Sequence, residues 1–303
     1  MLIDKGRIVM PSVNISHLSF LTPGNYADDA PQQGLEETLQ LIVLGEQLGY
    51  NGAWVRQRHL EHGVSSASVF LAAATQRTRT IELGSAVIQM GYESPLRLAE
   101  DLMTVEVLSA GRLNVGLSAG TPNHVELIGD EVFHGDWQQQ DFSYERLKRL
   151  QLNIRGRYFG DDETVILSPG NRQRPRVQPA APQLAQRLWY GGNSHRSIQW
   201  AAENQFNLLI GNLTSAEVSL DYHEAQLALI RTFRQYWAAD ASIDRALQLA
   251  ALSSLTRVPA HPPSSAIRIL LPAAISAHWS HRGRSALFSR RILWAAVRKL
   301  SRS

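Results

Sequence analysis

Leu188-Trp189-Tyr190-Gly191-Gly192-Asn193-Ser194-His195-Arg196-Ser197, continued by Trp200-Ala201-Ala202 and by Phe206 to Ile210, is the stretch that decides the fold. Leu188 to Tyr190 reads as a short strand. Two glycines allow a tight turn, Ser194 opens a helix that runs to Ala202, and Phe206 to Ile210 reads as a further strand. Strand, turn, helix and strand in this order make the βαβ unit of a parallel sheet. The turn also carries chemistry. The first N–H groups of a helix lack intrahelical partners and sit at the positive end of its dipole, so this turn suits an anion such as phosphate. Asn193, Ser194 and Ser197 add small polar groups, and Arg196 adds charge. An ordinary βα turn with serine caps has the same spacing, so both readings stay open at this point.

The alternation extends toward the N-terminus at roughly 30-residue spacing. Ile8 to Ile15 is expected to be a first strand, followed by a helix over Gly34 to Gly49 with Leu35, Leu39 and Ile42 on one face. Gly52 to Val55 is a short second strand, Ser66 to Thr75 a helix behind a serine cap, and Ile81 to Ile88 a third strand. Ser94-Pro95 opens the next helix with a cap and a first-turn proline, and Gly111 ends it. Leu113 to Leu117 is the fourth strand, and Ser118 to Asn123 the loop at its C-terminal end, where barrel enzymes place functional groups. Ser143 to Ile154 and Ser215 to Trp237 read as helices, and Arg155 to Gln183 as a long excursion. The fold class expected is α/β, a (β/α)8 TIM-type barrel.

Composition narrows the function classes. The chain has 303 residues, 44% of them hydrophobic and 19% charged, as in a soluble globular protein. It has no cysteine, which excludes disulfides, thiolate metal sites and a cysteine nucleophile. Asp4 and Lys5 interrupt any signal-like apolar core, and no apolar run approaches the roughly 20 residues of a membrane span. A cytoplasmic location is expected. No Gly-x-Gly-x-x-Gly or Walker-type loop is present, which disfavours a nucleotide-fold dehydrogenase or an NTPase. His59 and His62 have helical spacing but lack the further ligands of a metal site, so no metal is expected.

Three groups of residues together resemble the bacterial luciferase-like, flavin-dependent monooxygenase family. The first is Leu48-Gly49-Tyr50-Asn51-Gly52-Ala53-Trp54-Val55. The second comprises Leu83-Gly84-Ser85-Ala86-Val87-Ile88, Arg97-Leu98-Ala99-Glu100-Asp101 and Leu108-Ser109-Ala110-Gly111-Arg112-Leu113-Asn114-Val115-Gly116-Leu117. The third is Gly191 to Ser197 with Trp200-Ala201-Ala202. Their order and spacing are more specific than any one piece.

The resemblance implies an oxidoreductase that uses reduced FMN, supplied by a separate flavin reductase, and molecular oxygen on a small organic substrate. It also implies a homodimer, with no nucleic acid or membrane as partner. Asn193, Ser194 and Ser197 fall where the family binds the flavin phosphate. Ser85, Ala86 and Val87 fall where a strand passes beneath the isoalloxazine ring, often through a cis peptide, and Ser118 lies among flavin-contacting positions. Ala119 departs from members with arginine there. The loop Arg56-Gln57-Arg58-His59 corresponds to a region where many members carry an acid and two histidines, which makes His59 the candidate proton-transfer residue. Arg56 and Arg58 are candidates for holding an anionic flavin or substrate, or are simply solvated. Arg97, Glu100, Asp101 and Arg112 read as structural ion pairs. A deazaflavin-dependent oxidoreductase of the same fold, or a flavin-binding protein without activity, are the alternatives.

The last part of the chain differs in composition. All 27 acidic residues lie at or before Asp244, while residues 245–303 carry 10 Lys and Arg. Residues 1–249 are therefore expected to form the barrel domain, and 250–303 a basic, acid-free tail that leaves the closing strands in question. A changed reading frame near 245–255 or a genuine basic appendage would each give such a tail.

Overall fold

The computed structural model describes residues 3–4, 7–8, 17–211, 219, 221–237, 249–252 and 267–272. The chain divides into two units. One comprises Met1–Asn14, Thr256–Pro263 and Ala273–Ser303, and within it Ile3–Asp4 pairs antiparallel with Arg7–Ile8. The other, Ile15–Leu255 with Ser264–Pro272, holds the barrel.

Eight strands form the ring. They are β1 (His17–Thr22), β2 (Gly52–Val55), β3 (Glu82–Gln89), β4 (Leu113–Ser118), β5 (Leu188–Gly191), β6 (Asn207–Ile210), β7 (Leu249–Leu252) and β8 (Ile267–Pro272). Each pairs parallel with its neighbours in chain order, and β8 pairs with β1 from Arg268 opposite His17 to Pro272 opposite Leu21, so the barrel is closed. The helices described are α1 (Pro31–Gln47), α2 (Ala67–Thr75), α3 (Pro95–Leu108), α4 (Val125–Phe133), α5 (Glu145–Ile154), α6 (His195–Glu203) and α7 (Tyr222–Trp237).

Strands of a ring covered by helices are buried on both sides, which is why Gly52–Val55 and Asn207–Ile210 are buried throughout and, but for Asn207, apolar. Ile42, Leu71, Leu102, Leu150, Ile198 and Phe233 bring the apolar faces of α1, α2, α3, α5, α6 and α7 into the layer between helices and sheet. Each such side chain contributes about 1.5–3 kcal/mol by leaving water. The interior of the ring is packed too. Trp54 and Trp189 meet edge to face at 5.6 Å, with Leu209 and Ala86 beside them and Leu21 and Val87 at their margin. A Cβ at Gly84 would lie 2.4 Å from the Trp54 ring, so glycine is required there. The Trp189 indole N–H donates to Asn114 Oδ1 at 3.0 Å, and the Asn114 amide donates to Glu82 Oε2 at 2.8 Å.

The end of the barrel opposite the C-terminal mouth is tied by charge. Glu106, fully buried, pairs with Arg187, and its other oxygen accepts the Leu113 N–H at 3.2 Å. Arg112, expected in an ion pair, instead donates to the carbonyls of Ser109 (2.8 Å) and Ile81 (2.7 Å) and to Thr78 Oγ1 (3.0 Å). Its guanidinium also donates to the Thr75 (3.3 Å) and Thr78 (3.2 Å) carbonyls and so ties the end of α2 and the start of β3 to the end of α3. Arg97 and Glu100 do pair, on the exposed face of α3.

Several expectations are corrected. The first barrel strand is His17–Thr22, not Ile8 to Ile15; Arg7–Ile8 belongs to the hairpin, and residues 9–16 lie outside the described residues. Polar side chains hide β1 from an apolar pattern, because His17 and Ser19 are buried and satisfy each other at 2.8 Å. Residues 124–134, which follow the expected loop Ser118 to Asn123 and for which no element is expected, contain α4, bounded by His124 and His134 in left-handed conformations. The excursion folds as a hairpin, Ile166–Ser168 against Asn171–Gln173, and a 3-10 turn, Pro182–Arg187. The start of the helix expected from Ser215 lies outside the described residues. Both β7 and β8 carry parallel ladders despite the acid-free composition around them.

Candidate functional site

The site lies at the C-terminal ends of β2, β3, β4 and β5. At β3 the Ala86–Val87 peptide is cis, as the resemblance led one to expect. The Ser85 hydroxyl is engaged within the sheet. It donates to the Gly116 carbonyl and accepts the Gly116 N–H, both at 3.1 Å, and so locks β3 to β4. Gly116 has no room for a side chain, since a Cβ would lie 2.3 Å from the Ser85 carbonyl oxygen and 2.6 Å from Leu209. What Ser85, Ala86 and Val87 offer a flat ring is therefore backbone and the half-buried Val87 side chain. Ser118 ends β4 half-buried, and its carbonyl accepts the Met90 N–H at 3.0 Å.

The decisive sequence stretch takes the form expected of it. Ser194 caps α6, accepting the Ser197 N–H at 3.3 Å, while the Ser197 hydroxyl returns to the Ser194 N–H at 3.3 Å and to its carbonyl at 2.9 Å. This reciprocal pair is a capping box. Ser197 is buried within it, Ser194 is half-buried and Asn193 is exposed. Gly192 N–H donates to the Leu209 carbonyl at 3.3 Å, which anchors the turn to β6. A Cβ at Gly191 would lie 2.9 Å from Val87 Cγ1. The turn and the β3 floor are thus in direct contact. On α6, Trp200 stacks on Tyr144 at 4.2 Å and meets Tyr190 at 5.5 Å, and burial pushes the Tyr190 hydroxyl well above its usual pKa.

The donor set fits a phosphoryl group: first-turn N–H groups of α6, the Asn193 amide, the half-buried Ser194 hydroxyl, and the exposed Arg196. The fit is one of shape as well, because a side chain at Gly191 would fill the space between turn and floor.

On the other side of the site stands the loop after β2. His59 is half-buried there, its ring edge-on to Tyr92 at 4.6 Å. Burial lowers its pKa from the usual histidine value. The Tyr92 hydroxyl donates to the Asn123 carbonyl at 2.5 Å, so loops after β2, β3 and β4 are linked through this one ring. Gln57, buried, accepts the Ala67 N–H on Oε1 at 2.9 Å and donates from Nε2 to Glu93 Oε1 at 3.1 Å; the same Nε2 is 3.4 Å from His59 Nε2. Glu93 is held above the usual carboxylate range, by burial first, with Asp101 adding to the shift and Gln57 and Arg146 opposing it. Arg146 from α5 donates to the carbonyls of Met90 (3.0 Å) and Glu93 and fixes this loop.

Arg56 and Arg58 both approach Glu61 at 3.7 Å, and His124 lies 3.9 Å from the same carboxylate. His62 pairs with Asp28 at 2.8 Å, away from His59. Among the described residues no cluster of three metal-ligating side chains occurs. Gln57, Tyr92, Glu93 and Arg146 were not singled out by sequence. No spacing signals them, since Gln57 and Glu93 are 36 positions apart and meet only through the barrel.

Comparison with known proteins adds the context. Residues 16–286 match the model of the luciferase-like monooxygenase family, a match that continues past Leu249 into the acid-free region. The 4-hydroxyprotoasukamycin monooxygenase of Streptomyces nodosus subsp. asukaensis is 32% identical over 118 residues, covering 38% of this chain and 32% of that protein. The chain spans 32%, 49% and 59% of the length of three curated relatives. In structure it resembles the oxygenating constituent of 3,6-diketocamphane monooxygenase from Pseudomonas putida, solved with FMN (TM-score 0.55, 14% identity, 78% of this chain and 66% of that one). It also resembles an F420-dependent secondary alcohol dehydrogenase (TM-score 0.52, 15% identity, 78% and 69%). With the ring, the β3 floor and the α6 turn all in place, the chain belongs to the luciferase-like monooxygenase family.

Proposed function

We propose that this protein is a flavin-dependent monooxygenase that uses reduced FMN and molecular oxygen to oxidise a small organic substrate. The observation that carries the reading is the contact between Gly191 and Val87, which sets an anion-binding turn directly beside a flat apolar floor. A molecule with a planar ring at one end and a phosphate at the other matches that arrangement. Bound reduced flavin would supply the electrons and the reaction with oxygen. The chain's own residues would bind, orient and exclude water. Asn193, Ser194 and the α6 N–H groups would hold the phosphate, with Ser197 shaping the turn from behind. Ala86, Val87 and Ser118 would line the ring, and His59 would hold or move a proton beside it. The reading extends to a separate flavin reductase as electron source, a homodimer, and a cytoplasmic setting; no described helix is long and apolar enough to cross a membrane.

Anaerobic titration of the full chain with reduced and oxidised FMN, followed by oxygen uptake, tests the reading. Binding of reduced FMN and consumption of oxygen are expected. Failure to bind either form overturns it, and binding of a reduced deazaflavin in place of FMN transfers the chain to the F420-type alternative.

A further inference from the structure

The Gln57 amide is oriented by its surroundings, and that orientation dictates the state of its neighbour. Its Oε1 is committed to the N–H of Ala67, the first residue of α2, at 2.9 Å. Ser66 makes no side-chain cap of its own, so Gln57 serves this helix end in its place. The opposite atom must therefore be the NH2 group. One of its protons goes to Glu93 Oε1 at 3.1 Å, and the other faces His59 Nε2 at 3.4 Å. An imidazole nitrogen facing an amide N–H presents a lone pair, and a neutral imidazole with a lone pair on Nε2 carries its proton on Nδ1.

We propose that Gln57 is a positioning residue which holds His59 neutral with its proton on Nδ1, so that His59 meets a bound flavin or substrate as an N–H donor. An exchanged amide would set Nε2 against the Ala67 N–H and Oε1 against the Glu93 carboxylate, two repulsive contacts, so the alternative orientation is disfavoured. Other groups around the imidazole agree with the assignment. Tyr92, from the loop after β3, covers the ring edge-on, and burial lowers the imidazole pKa. The charged members of its own loop, Arg56, Arg58 and Glu61, pair among themselves, and His62 pairs with Asp28. His124, at the start of α4, approaches Glu61, and Glu126 of α4 acts on Tyr92. Glu93 accepts from the same Gln57 amide that faces His59, and Arg146 of α5 holds the Glu93 carbonyl. The catalytic meaning rests on the proposed function; the protonation state does not, and it is read without any ligand.

The test is imidazole 15N–1H correlation NMR on the full chain labelled in histidine, with His59→Asn identifying the resonances. The parent is expected to show a protonated Nδ1 and an unprotonated Nε2 at His59 across neutral pH. Gln57→Glu keeps an acceptor for Ala67 N–H but replaces the donor with a carboxylate. There the proton is expected on Nε2, with a His59 pKa about one unit above the parent. Glu93→Gln is expected to leave the parent tautomer in place. A protonated Nε2 in the parent, or an unchanged tautomer in Gln57→Glu, overturns the proposal. If Gln57→Glu fails to fold, the double variant Gln57→Glu/Glu93→Gln removes the adjacent carboxylate and gives the same reading. Failure of FMN to bind a protein with the expected tautomer would sink the proposed function and leave this assignment standing.

Discussion

Ser194 and Ser197 lie three residues apart and have different duties. Ser194 is the cap residue and is half-buried, at the surface a ligand would meet, whereas the Ser197 hydroxyl is buried and held by the Ser194 N–H and carbonyl. Ser194→Ala is expected to weaken reduced-FMN binding by about 1 kcal/mol, roughly fivefold, and to cost about 1 kcal/mol of stability through the lost cap. Ser197→Ala is expected to reduce stability by a similar amount and affinity little. Fluorescence titration with urea unfolding of both variants separates the two; equal losses of affinity would mean that both hydroxyls touch the phosphate. The Gly191 to Ser197 turn was readable because its chemistry is local, a cap and its partner within one helical turn. The Gln57, Glu93 and His59 group was not, because each member's role depends on a residue brought near by the barrel closure.

At the scale of elements, Glu46 joins α1 to the start of β3. Burial raises its pKa, but the N–H groups of Thr80, Ile81 and Arg79 outweigh this and hold the carboxyl at about 2 against an ordinary 4.5. A depressed folded-state pKa gives stability that is complete above the unfolded value and fades as the pH falls toward the folded one. Glu46→Gln is therefore expected to be about 1 kcal/mol less stable than the parent at neutral pH, with the gap closing between pH 4.5 and 2. Urea melts across that range measure it, and a gap that widens on acidification would show the shift to have the opposite sign. Among the elements, α1 to α3 and β2 to β6 were legible because continuous apolar runs and single apolar helix faces follow from burial in two layers. The helix α4 was not. Leu127 and Val132 point to solvent, and the inward face is only Val125, Gly129 and the half-buried Ile128, too short an apolar stripe to stand out in the sequence.

For the whole molecule, the closing strands matter most. Ile269 stands opposite Leu18 of β1 and Ala251 of β7. Ile269→Pro removes a ladder N–H in the middle of a closed sheet and is expected to cost about 3 kcal/mol, with aggregation through the freed edges of β1 and β7. Thermal unfolding with light scattering checks this; a variant indistinguishable from the parent would mean that β8 does not close the ring. Composition could not foresee these strands, since a central parallel strand needs apolar residues and a backbone free to pair, and Leu249–Leu252 and Ile267–Pro272 supply both without acidic neighbours. The contact between Gly191 and Val87 has a consequence for the history of the family. The two positions share one volume, so they are expected to covary among relatives, a branched residue at 87 accompanying glycine at 191 and a small one at 87 permitting alanine. In this chain Val87→Ala should therefore rescue much of the stability that Gly191→Ala loses, a coupling a double-mutant cycle would resolve.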